Sequence, residues 1–391
     1  MPYLYHFNAF FEYELSTYPN LYNPPQKLQQ YAQALNYFFL LLADRDDLVW
    51  MQGAEPEVLA VWQQWDTANG KTKTQIQQVK QGYELIQWGR TSHWQDKEIV
   101  QDESLVKNAR RLNSKFEQAL WKIRYAINAY TPVFSNEMPT EEMTYPLLVR
   151  NKAFAFSGRD SYVVQDRKHL QMLLGKEQKL VLEPYLAAQK KQDFSEIVEL
   201  RQGSMQHLAY TEMYVNSKNH FEGCVLCDDL SENTGRSFPE RSLCRAMSKC
   251  RTGIEKHLQS PFADKLTTIL QQEQLEYEGP LSIDFFSYQE EDGKSHWHFC
   301  EANFRFTMGR MLYEIHRKLA LVGKYSGLFL LSCHKSVALT YFSQQQFLAV
   351  TPFWQQGKRF SIWLYGNDSK KEALNERFQE LQKSFIGENE E

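Results

Sequence analysis

Residues 277–310 of this chain read YEGPLSIDFFSYQEEDGKSHWHFCEANFRFTMGR and have the pattern of two strands joined by a hairpin. The first strand, Leu281 to Tyr288, is rich in β-branched and aromatic residues, and the polar run QEEDG at 289–293 provides the turn. Ser295 to Phe304 then returns as the second strand. This hairpin also carries the most chemically suggestive residues of the sequence.

One face of the predicted hairpin carries a row of polar side chains. Side chains alternate along a strand, so Glu301, Asn303 and Arg305 share a face, and a suitable register brings Asp284 beside Glu301. Two carboxylates and an amide oxygen suit a hard cation such as Mg²⁺. The alternative is a solvated strand face with ordinary polar residues, but an apolar strand seldom carries such a row. A metal–phosphate site is therefore the working hypothesis.

No nucleophilic triad or dyad stands out elsewhere in the sequence. His296 and His298 lie on the returning strand at even positions, whereas Glu301 and Asn303 are odd. Without a bulge, both histidines point away from the metal face. No catalytic role is predicted for them.

The composition is that of an ordinary soluble globular protein, and the length of 391 residues allows two or three subdomains. The net charge of −4 gives no overall electrostatic footprint for nucleic acid or for an anionic membrane. The most apolar run, Tyr37 to Ala43, is too short to span a bilayer, and the N-terminus lacks the pattern of a signal peptide. We therefore expect a cytoplasmic protein with no membrane and no nucleic-acid partner.

The cysteines require a test for zinc, because Cys224 and Cys227 form a CxxC half-site. The second half-site fails this test, since Cys244 and Cys250 are six residues apart and do not share a helix face. Buried or surface thiols are the favoured interpretation, and a reducing compartment disfavours disulfides.

The order of predicted elements suggests an α/β layer followed by further strands and helices. Pro2 to Phe11 is a strand candidate, Gln26 to Ala43 has helical periodicity, and Leu48 to Met51 is a second strand. A long helical stretch is expected from about Leu105 to Ala129. Later elements are predicted at 146–151 (strand), 166–174 (helix), 179–183 (strand), 308–320 (helix), 346–350 (strand) and 360–365 (strand).

Taken in order, these features resemble the ATP-grasp superfamily over roughly residues 112–310. The resemblance rests on a basic strand with a Ser-Gly loop, a Glu-bearing strand end, and an acid strand paired with Glu-x-Asn. It implies an α/β (α+β) fold with a Rossmann-like pre-ATP-grasp domain over 1–110, as in a bacterial ATP-grasp group. A two-lobed ATP-grasp domain over 111–330 and a C-terminal extension over 331–391 follow. ATP is expected between the two lobes.

The resemblance also implies roles for the hairpin residues. Asp284, Glu301 and Asn303 match the Mg²⁺ ligands of the superfamily. Arg305, two positions beyond Asn303, is expected to meet the γ-phosphate or acyl-phosphate oxygens. A salt bridge from Arg305 to a neighbouring acid is the structural alternative.

The nucleotide site is implied by three further matches. The segment LVLEPYL at 180–186 matches the hinge that reads adenine with free backbone groups in an apolar slot, and places Glu183 and Leu186 there. Asp193 matches the acid that binds the ribose hydroxyls, with a surface acid in a loop as the alternative. Lys115 matches the other nucleotide lysine of the superfamily.

The predicted phosphate-binding residues depart from the superfamily pattern. On its strand Arg150 and Lys152 compete for the place of the usual lysine, and Lys152 is favoured if a bulge restores its direction. The loop FSGRD provides Ser157 and Gly158, where glycine allows close approach of the backbone to phosphate. Asp160 stands where a second glycine is usual and puts an anion near the phosphates.

The function implied is an ATP- and Mg²⁺-dependent ligase that activates a carboxylate as an acyl phosphate and joins it to an amine. Its substrate is a small metabolite or a peptide, and the resemblance allows a homodimer, since relatives are often dimers. The alternative is a catalytically weak nucleotide-binding protein of regulation or assembly, which Asp160 and the displaced cation favour. The complete Asp284, Glu301 and Asn303 set favours the ligase over this alternative. A kinase that phosphorylates its substrate directly shares ATP and Mg²⁺ and would instead yield a stable phosphorylated product.

Overall fold

The protein is represented by a computed structural model with side chains. The structure describes residues 3–20, 22–25, 29, 32, 34–43, 47–50, 74–76, 84–89, 91, 103–137, 143–154, 161–175, 179–186, 190–216, 220–227, 262–290, 292–319, 325–333, 347–351, 354–356 and 359–387. None of the helices in these ranges is long and apolar enough to cross a membrane.

The N-terminal part contains a four-stranded parallel sheet in the order β3-β2-β1-β4. Its strands are β1 (Tyr3–His6), β2 (Leu48–Trp50), β3 (Thr74–Ile76) and β4 (Glu84–Gln87). Helices α1 (Phe11–Thr17) and α2 (Tyr37–Leu42) accompany it. Parallel strands joined through helices are what the strand–helix–strand pattern predicts.

The helical stretch predicted over 105–129 is divided into two helices in the structure. They are α3 (Glu103–Asn113) and α4 (Lys115–Arg124), separated by Ser114. The Ser114 hydroxyl accepts a hydrogen bond from the Glu117 N–H at 3.3 Å, as an N-cap residue does. The Ser-x-x-Glu spacing of a capping box is the signal that would have located this break. The break places Lys115 at the first position of α4.

A small antiparallel sheet in the order β5-β8-β6-β7 follows these helices. Its strands are β5 (Val133–Ser135), β6 (Leu147–Arg150), β7 (Ser161–Val164) and β8 (Leu180–Pro184), and helix α5 is Arg167–Leu174. Its core is aliphatic and contains Leu147, Val149, Val164, Leu170, Leu180 and Leu182.

The largest element is a nine-stranded antiparallel sheet in the order β13-β12-β9-β10-β11-β14-β17-β15, with β16 paired to β17. Its strands are β9 (Lys190–Arg201), β10 (Ser204–Val215), β11 (Phe221–Leu226), β12 (Gly279–Gln289), β13 (Ser295–Asn303), β14 (Tyr325–Cys333), β15 (Phe347–Ala349), β16 (Trp354–Gln356) and β17 (Arg359–Asp368). Helices α6 (Ala263–Gln272), α7 (Met308–Leu319) and α8 (Lys371–Gly387) complete the described elements. The predicted hairpin is β12–β13, at one edge of this sheet. Part of β14 and all of β15–β17 come from residues 331–391. The C-terminal segment therefore continues the sheet.

An aromatic core joins the N-terminal sheet to α7. Phe7 stacks on Trp88 with ring centroids 4.2 Å apart, and Phe39 meets Phe306 edge-on at 5.4 Å. The Phe306 N–H donates to the Trp88 carbonyl at 2.8 Å. Arg305, next to Phe306, is thereby held against the carboxyl ends of β1 and β4.

Beside these strand ends lies a buried acid, Glu14. It is 8% exposed and accepts hydrogen bonds from the Asn8 amide at 3.0 Å and the Thr91 hydroxyl at 2.7 Å. Burial raises the pKa of Glu14 to about 7, although both hydrogen bonds oppose the rise. The folded protein therefore binds a proton here that the unfolded chain releases at lower pH.

This raised pKa predicts a pH-dependent loss of stability. Between the ordinary value of 4.5 and about 7, the folded state holds more protons, so the free energy of unfolding falls as pH rises. Glu14→Gln keeps an oxygen that can accept both hydrogen bonds and removes the titration. From pH 5 to pH 8, the free energy of unfolding measured in urea should fall by about 2 kcal/mol less in the variant than in the parent. Parallel pH profiles would contradict the assignment.

Candidate functional site

The predicted metal face is assembled in the structure on three neighbouring strands. Ser195 of β9, Asp284 of β12 and Glu301 of β13 are register partners across the sheet. The Ser195 hydroxyl donates to Asp284 Oδ1 at 2.6 Å, and the Asn303 amide nitrogen donates to Asp284 Oδ2 at 2.8 Å. Asp284, Glu301 and Asn303 therefore lie together, as the alternation argument requires. We call Ser195, Asp284 and Glu301 the acid row.

The electrostatics of the acid row fit a divalent cation. Burial, and then the charge of Glu301, raises the pKa of Asp284 to about 7. Burial also opposes the charge of Glu301, but the Lys115 ammonium, 2.7 Å from Glu301 Oε2, lowers its pKa to about 2. Lys115 therefore compensates the charge of Glu301, and a divalent cation bound here would stabilise the ionised form of Asp284. No cluster of three acid, His or Cys side chains occurs in the described ranges, so a third protein ligand here would be the Asn303 amide oxygen.

Arg305 lies beside this face and also contacts residues of the N-terminal part of the chain. Its Nη2 lies 2.9 Å from Glu12 Oε1 and donates to the Asn303 amide oxygen at 3.2 Å. Its Nη1 donates to the Phe306 carbonyl at 3.0 Å, and the guanidinium lies 5.9 Å from the Trp88 ring centroid. The salt bridge weighed as an alternative is present, and its partner, Glu12, was not anticipated from the sequence.

A second charged group lies on the small sheet around Glu183. The Lys122 ammonium is 2.7 Å from Glu183 Oε1, and Arg150 is ion-paired to Glu183 Oε2. Glu183 is 3% exposed. Burial, and then the charge of Arg150, lowers the pKa of Lys122 to about 7. One carboxylate therefore pairs with two cations, of which Lys122 is buried and Arg150 partly buried. We call these three residues the Glu183 cluster.

Arg150 is the last residue of strand β6 and contacts Glu183, whereas Lys152 lies beyond the end of the strand and is exposed. This arrangement favours Arg150 over the preferred Lys152. Lys122 was missed by the sequence interpretation. Its signal was the spacing of seven residues from Lys115, which places both ammonium groups on one face of α4.

The predicted hinge residue Leu186 and the predicted ribose residue Asp193 both contact Lys190. Leu186 is 7% exposed, and its carbonyl accepts a hydrogen bond from the Lys190 N–H at 2.8 Å. Asp193 belongs to strand β9, so its interpretation as a loop acid is wrong. The Asp193 carboxylate is 2.5 Å from the Lys190 ammonium, and burial raises its pKa.

Three predicted features of the phosphate loop cannot be placed, because Ser157, Gly158 and Asp160 lie outside the described residues. The same is true of Cys244 and Cys250. Cys224 and Cys227 are buried cysteines.

The prediction that the two histidines of β13 point away from the metal face is wrong. Asp284 pairs with Glu301, but the next residue, Phe285, pairs with Phe299, so Cys300 forms a β-bulge. The bulge reverses the alternation, and His298 joins the face of Glu301. The apolar pattern carried this signal, because the core positions are odd up to Phe299 and even from Ala302.

Comparison with known proteins identifies related structures but no related sequence. No protein-family model matches the sequence, and no curated protein matches it. The chain is similar to N5-carboxyaminoimidazole synthetase from Staphylococcus aureus in complex with ADP, with 10% identity over 98% of both chains and a TM-score of 0.54. It is also similar to the ADP complex of purK, an N5-carboxyaminoimidazole ribonucleotide synthetase, with 10% identity over 92% of this chain and 96% of that chain and a TM-score of 0.53. At this identity the similarity shows a shared fold.

Proposed function

Because the fold is the ATP-grasp fold of these structures, with mixed α and β layers, we propose that the chain is an ATP- and Mg²⁺-dependent carboxylate–amine ligase. Its substrates are a small carboxylic acid and an amine, either a metabolite or a peptide, and it acts as a homodimer. Light scattering after gel filtration measures the oligomeric state.

One observation supports the proposal most directly. Two hydrogen-bonded groups lie side by side: the Lys115 ammonium donates to Glu301, and Asp284 is joined through Asn303 to Arg305. The acids are register partners, and cations flank them at both ends. Such an arrangement suits a triphosphate, which needs a metal at its oxygens and positive charge around the transferred group.

The proposed reaction has two steps. A carboxylate oxygen of the acid substrate attacks the γ-phosphorus of ATP, and ADP leaves as the acyl phosphate forms. The amine then attacks the carbonyl carbon, loses a proton and displaces inorganic phosphate. The protein contributes mainly position and electrostatic stabilisation, so no nucleophilic side chain is required.

Each part of the site has a proposed role. Asp284, Glu301 and Asn303 would hold Mg²⁺, which supplies charge neutralisation at the phosphate oxygens when bound. Arg305 binds the acyl-phosphate oxygens once Glu12 releases it. Lys115 binds the phosphates.

We assign the remaining nucleotide contacts to the hinge segment, residues 180–186, and to residues of the neighbouring strands and loop. Arg150 replaces the usual strand lysine, and Asp193 accepts hydrogen bonds from the ribose. The backbone of Glu183 and Leu186 reads the base edge. Ser157 and Gly158 remain proposed phosphate-loop residues.

Hydroxylamine trapping tests the proposed chemistry. The protein is incubated with ATP, Mg²⁺, pooled carboxylic acids and hydroxylamine, which intercepts an acyl phosphate as a hydroxamate. Release of ADP with a matching hydroxamate mass supports the ligase, and omission of Mg²⁺ should abolish both. ADP release without any hydroxamate, but with a stable phosphorylated product, would indicate a kinase instead.

The second candidate is a nucleotide-binding protein without turnover. The ion pair between Arg305 and Glu12 favours it, because the cation proposed for the acyl phosphate already has an anionic partner. ATP binding without ADP release in any acid and amine mixture would support this candidate.

Ligand binding should be visible as thermal stabilisation. A ligand that binds only the folded state stabilises it by about 2.7 kcal/mol at 100 times its Kd, which is a Tm rise of about 3 °C for a chain of this length. We expect this rise with millimolar ATP and Mg²⁺ in a thermal scan. ATP with EDTA should give a smaller rise. An unchanged Tm would argue against both candidates.

A further inference from the structure

His298 is a buried polar group for which the proposed function has no role. It is 6% exposed, and its Nδ1 has no hydrogen-bond partner among the residues that the structure describes. A buried polar atom without a partner is costly, and most such atoms in native proteins have one. A ligand acceptor at this position would remove the cost.

The hydrogen-bonding role of this nitrogen is set by Asn128. The Phe299 N–H donates to the Asn128 amide oxygen at 2.8 Å, which fixes the orientation of the amide. The Asn128 amide nitrogen therefore faces the Phe299 carbonyl at 3.0 Å and His298 Nε2 at 3.2 Å. Nε2 must accept, so the proton of the neutral ring is on Nδ1. His298 thus presents a buried N–H donor.

The charges around His298 keep it neutral. Burial, and then the positive charges of Lys122 and Arg150, lowers its pKa to about 3. These two cations also disfavour a positively charged ligand at the same place. The group that His298 meets is therefore a neutral or anionic acceptor.

The sheet places His298 at a defined distance from the other site residues. Asp193, Phe286 and His298 are register partners on β9, β12 and β13, one row beyond the acid row. The His298 ring stacks on Phe286, with centroids 4.9 Å apart and planes at 26°. The two rows are about 7 Å apart along the strands, and His298 is about 10 Å from Asp193 across them. That separation suits a nucleotide with its phosphates at the acid row and its base near Phe286.

On this basis we propose that His298 Nδ1–H donates a hydrogen bond to N7 of the adenine ring and so contributes to the choice of base. The inference rests on the proposed nucleotide site. The hinge backbone, with one carbonyl and one N–H, suits the adjacent N6 donor and N1 acceptor of adenine. N3 lies beside the ribose, hence near Asp193 and far from His298. N7 is the remaining ring acceptor.

Deaza analogues of ATP test this assignment directly, because they remove one acceptor without changing the shape of the base. Affinities are measured by calorimetry for ATP, 7-deaza-ATP and 3-deaza-ATP, all with Mg²⁺. The parent protein should bind 7-deaza-ATP about tenfold more weakly than ATP, as expected for one lost hydrogen bond. The affinity ratio of ATP to 3-deaza-ATP should not depend on residue 298.

The variant His298→Phe should bind ATP and 7-deaza-ATP equally. His296→Phe is the matched control, since it lies on the same strand beside the solvent-facing turn, and it should retain the tenfold preference. Because the ratio is measured within each protein, a general loss of stability would not imitate the result. If the parent binds both nucleotides equally, the assignment fails while the ATP site stands. If His298→Phe keeps the preference, another donor reads N7, and the assignment also fails. If no nucleotide binds to the parent, the proposed function itself fails.

Discussion

Glu301→Ala should abolish Mg²⁺-dependent ATP turnover, with a loss of at least about 10³-fold in kcat/KM. Charge stabilisation by a metal ion contributes several kcal/mol to such reactions, and each 1.4 kcal/mol is a factor of ten in rate. Glu301 is the stronger of the two acids as a metal ligand, because its lowered pKa keeps it ionised over the working pH range, whereas that of Asp284 is raised to about 7. Its removal leaves a single, weakly acidic carboxylate. ATPase assays over a range of Mg²⁺ concentrations measure the effect.

The fold should survive this substitution. The Glu301 side chain is 28% exposed, and its ion-pair partner, Lys115, retains contact with solvent at 14%. Loss of this ion pair lowers the stability, but removal of Glu301 also relieves its repulsion of Asp284, so the circular dichroism spectrum should be unchanged and the Tm should fall only modestly.

Asp292→Asn is the matched control for this prediction. Asp292 is an acid of the same hairpin, but it lies in the exposed turn and pairs with Lys294 at 2.6 Å. It should leave ATP turnover unchanged. Mg²⁺-dependent turnover in Glu301→Ala at the parent rate would remove Glu301 from the metal site.

The hairpin could be predicted from the sequence because its signals are local. Alternation, turn residues and the polar row all lie within one stretch of chain, and the register pairs Asp284 with Glu301 as required. The β-bulge at Cys300 is equally local, but it appears only as a change from odd to even core positions. An argument from alternation that ignores such a change assigns His298 to the wrong face.

The ion-pair partners could not be predicted, because they depend on distant segments. Glu12 and Arg305 are brought together by the packing of the N-terminal sheet on α7, and nothing local marks Glu12. Lys122 meets Glu183 only because α4 packs beside the small sheet. In the sequence, the seven-residue spacing from Lys115 indicates the helix face of Lys122 but not the acid that it contacts.

The extent of the large sheet was also underestimated. The sequence suggested two short strands after Cys333, whereas β14 spans Tyr325–Cys333 and pairs with β11 and β17. Both faces of β14 are largely buried, so it has no polar alternation to mark it. A continuous apolar run is ambiguous between helix and strand until its neighbours are known.

Glu183→Gln should be the most destabilising single substitution in the Glu183 cluster. It removes the anion that both Lys122 and Arg150 contact, and leaves the buried Lys122 ammonium beside the partly buried Arg150 guanidinium. Loss of one partner of a buried pair costs about 3–5 kcal/mol, because the remaining charge is desolvated without compensation. Urea or thermal unfolding of the full chain should show this loss.

Comparison with Lys122→Met distinguishes a charge effect from a packing effect. That substitution leaves Glu183 paired with Arg150, and Met fills much of the volume of the lysine chain, so the cost should be about 1 kcal/mol or less. The double variant should recover part of the stability that Glu183→Gln loses, because it removes one of the two cations. Such recovery is non-additive and reports direct coupling between the two sites. Equal destabilisation by the two single variants, with additive effects in the double variant, would mean that packing rather than charge sets the stability of this region.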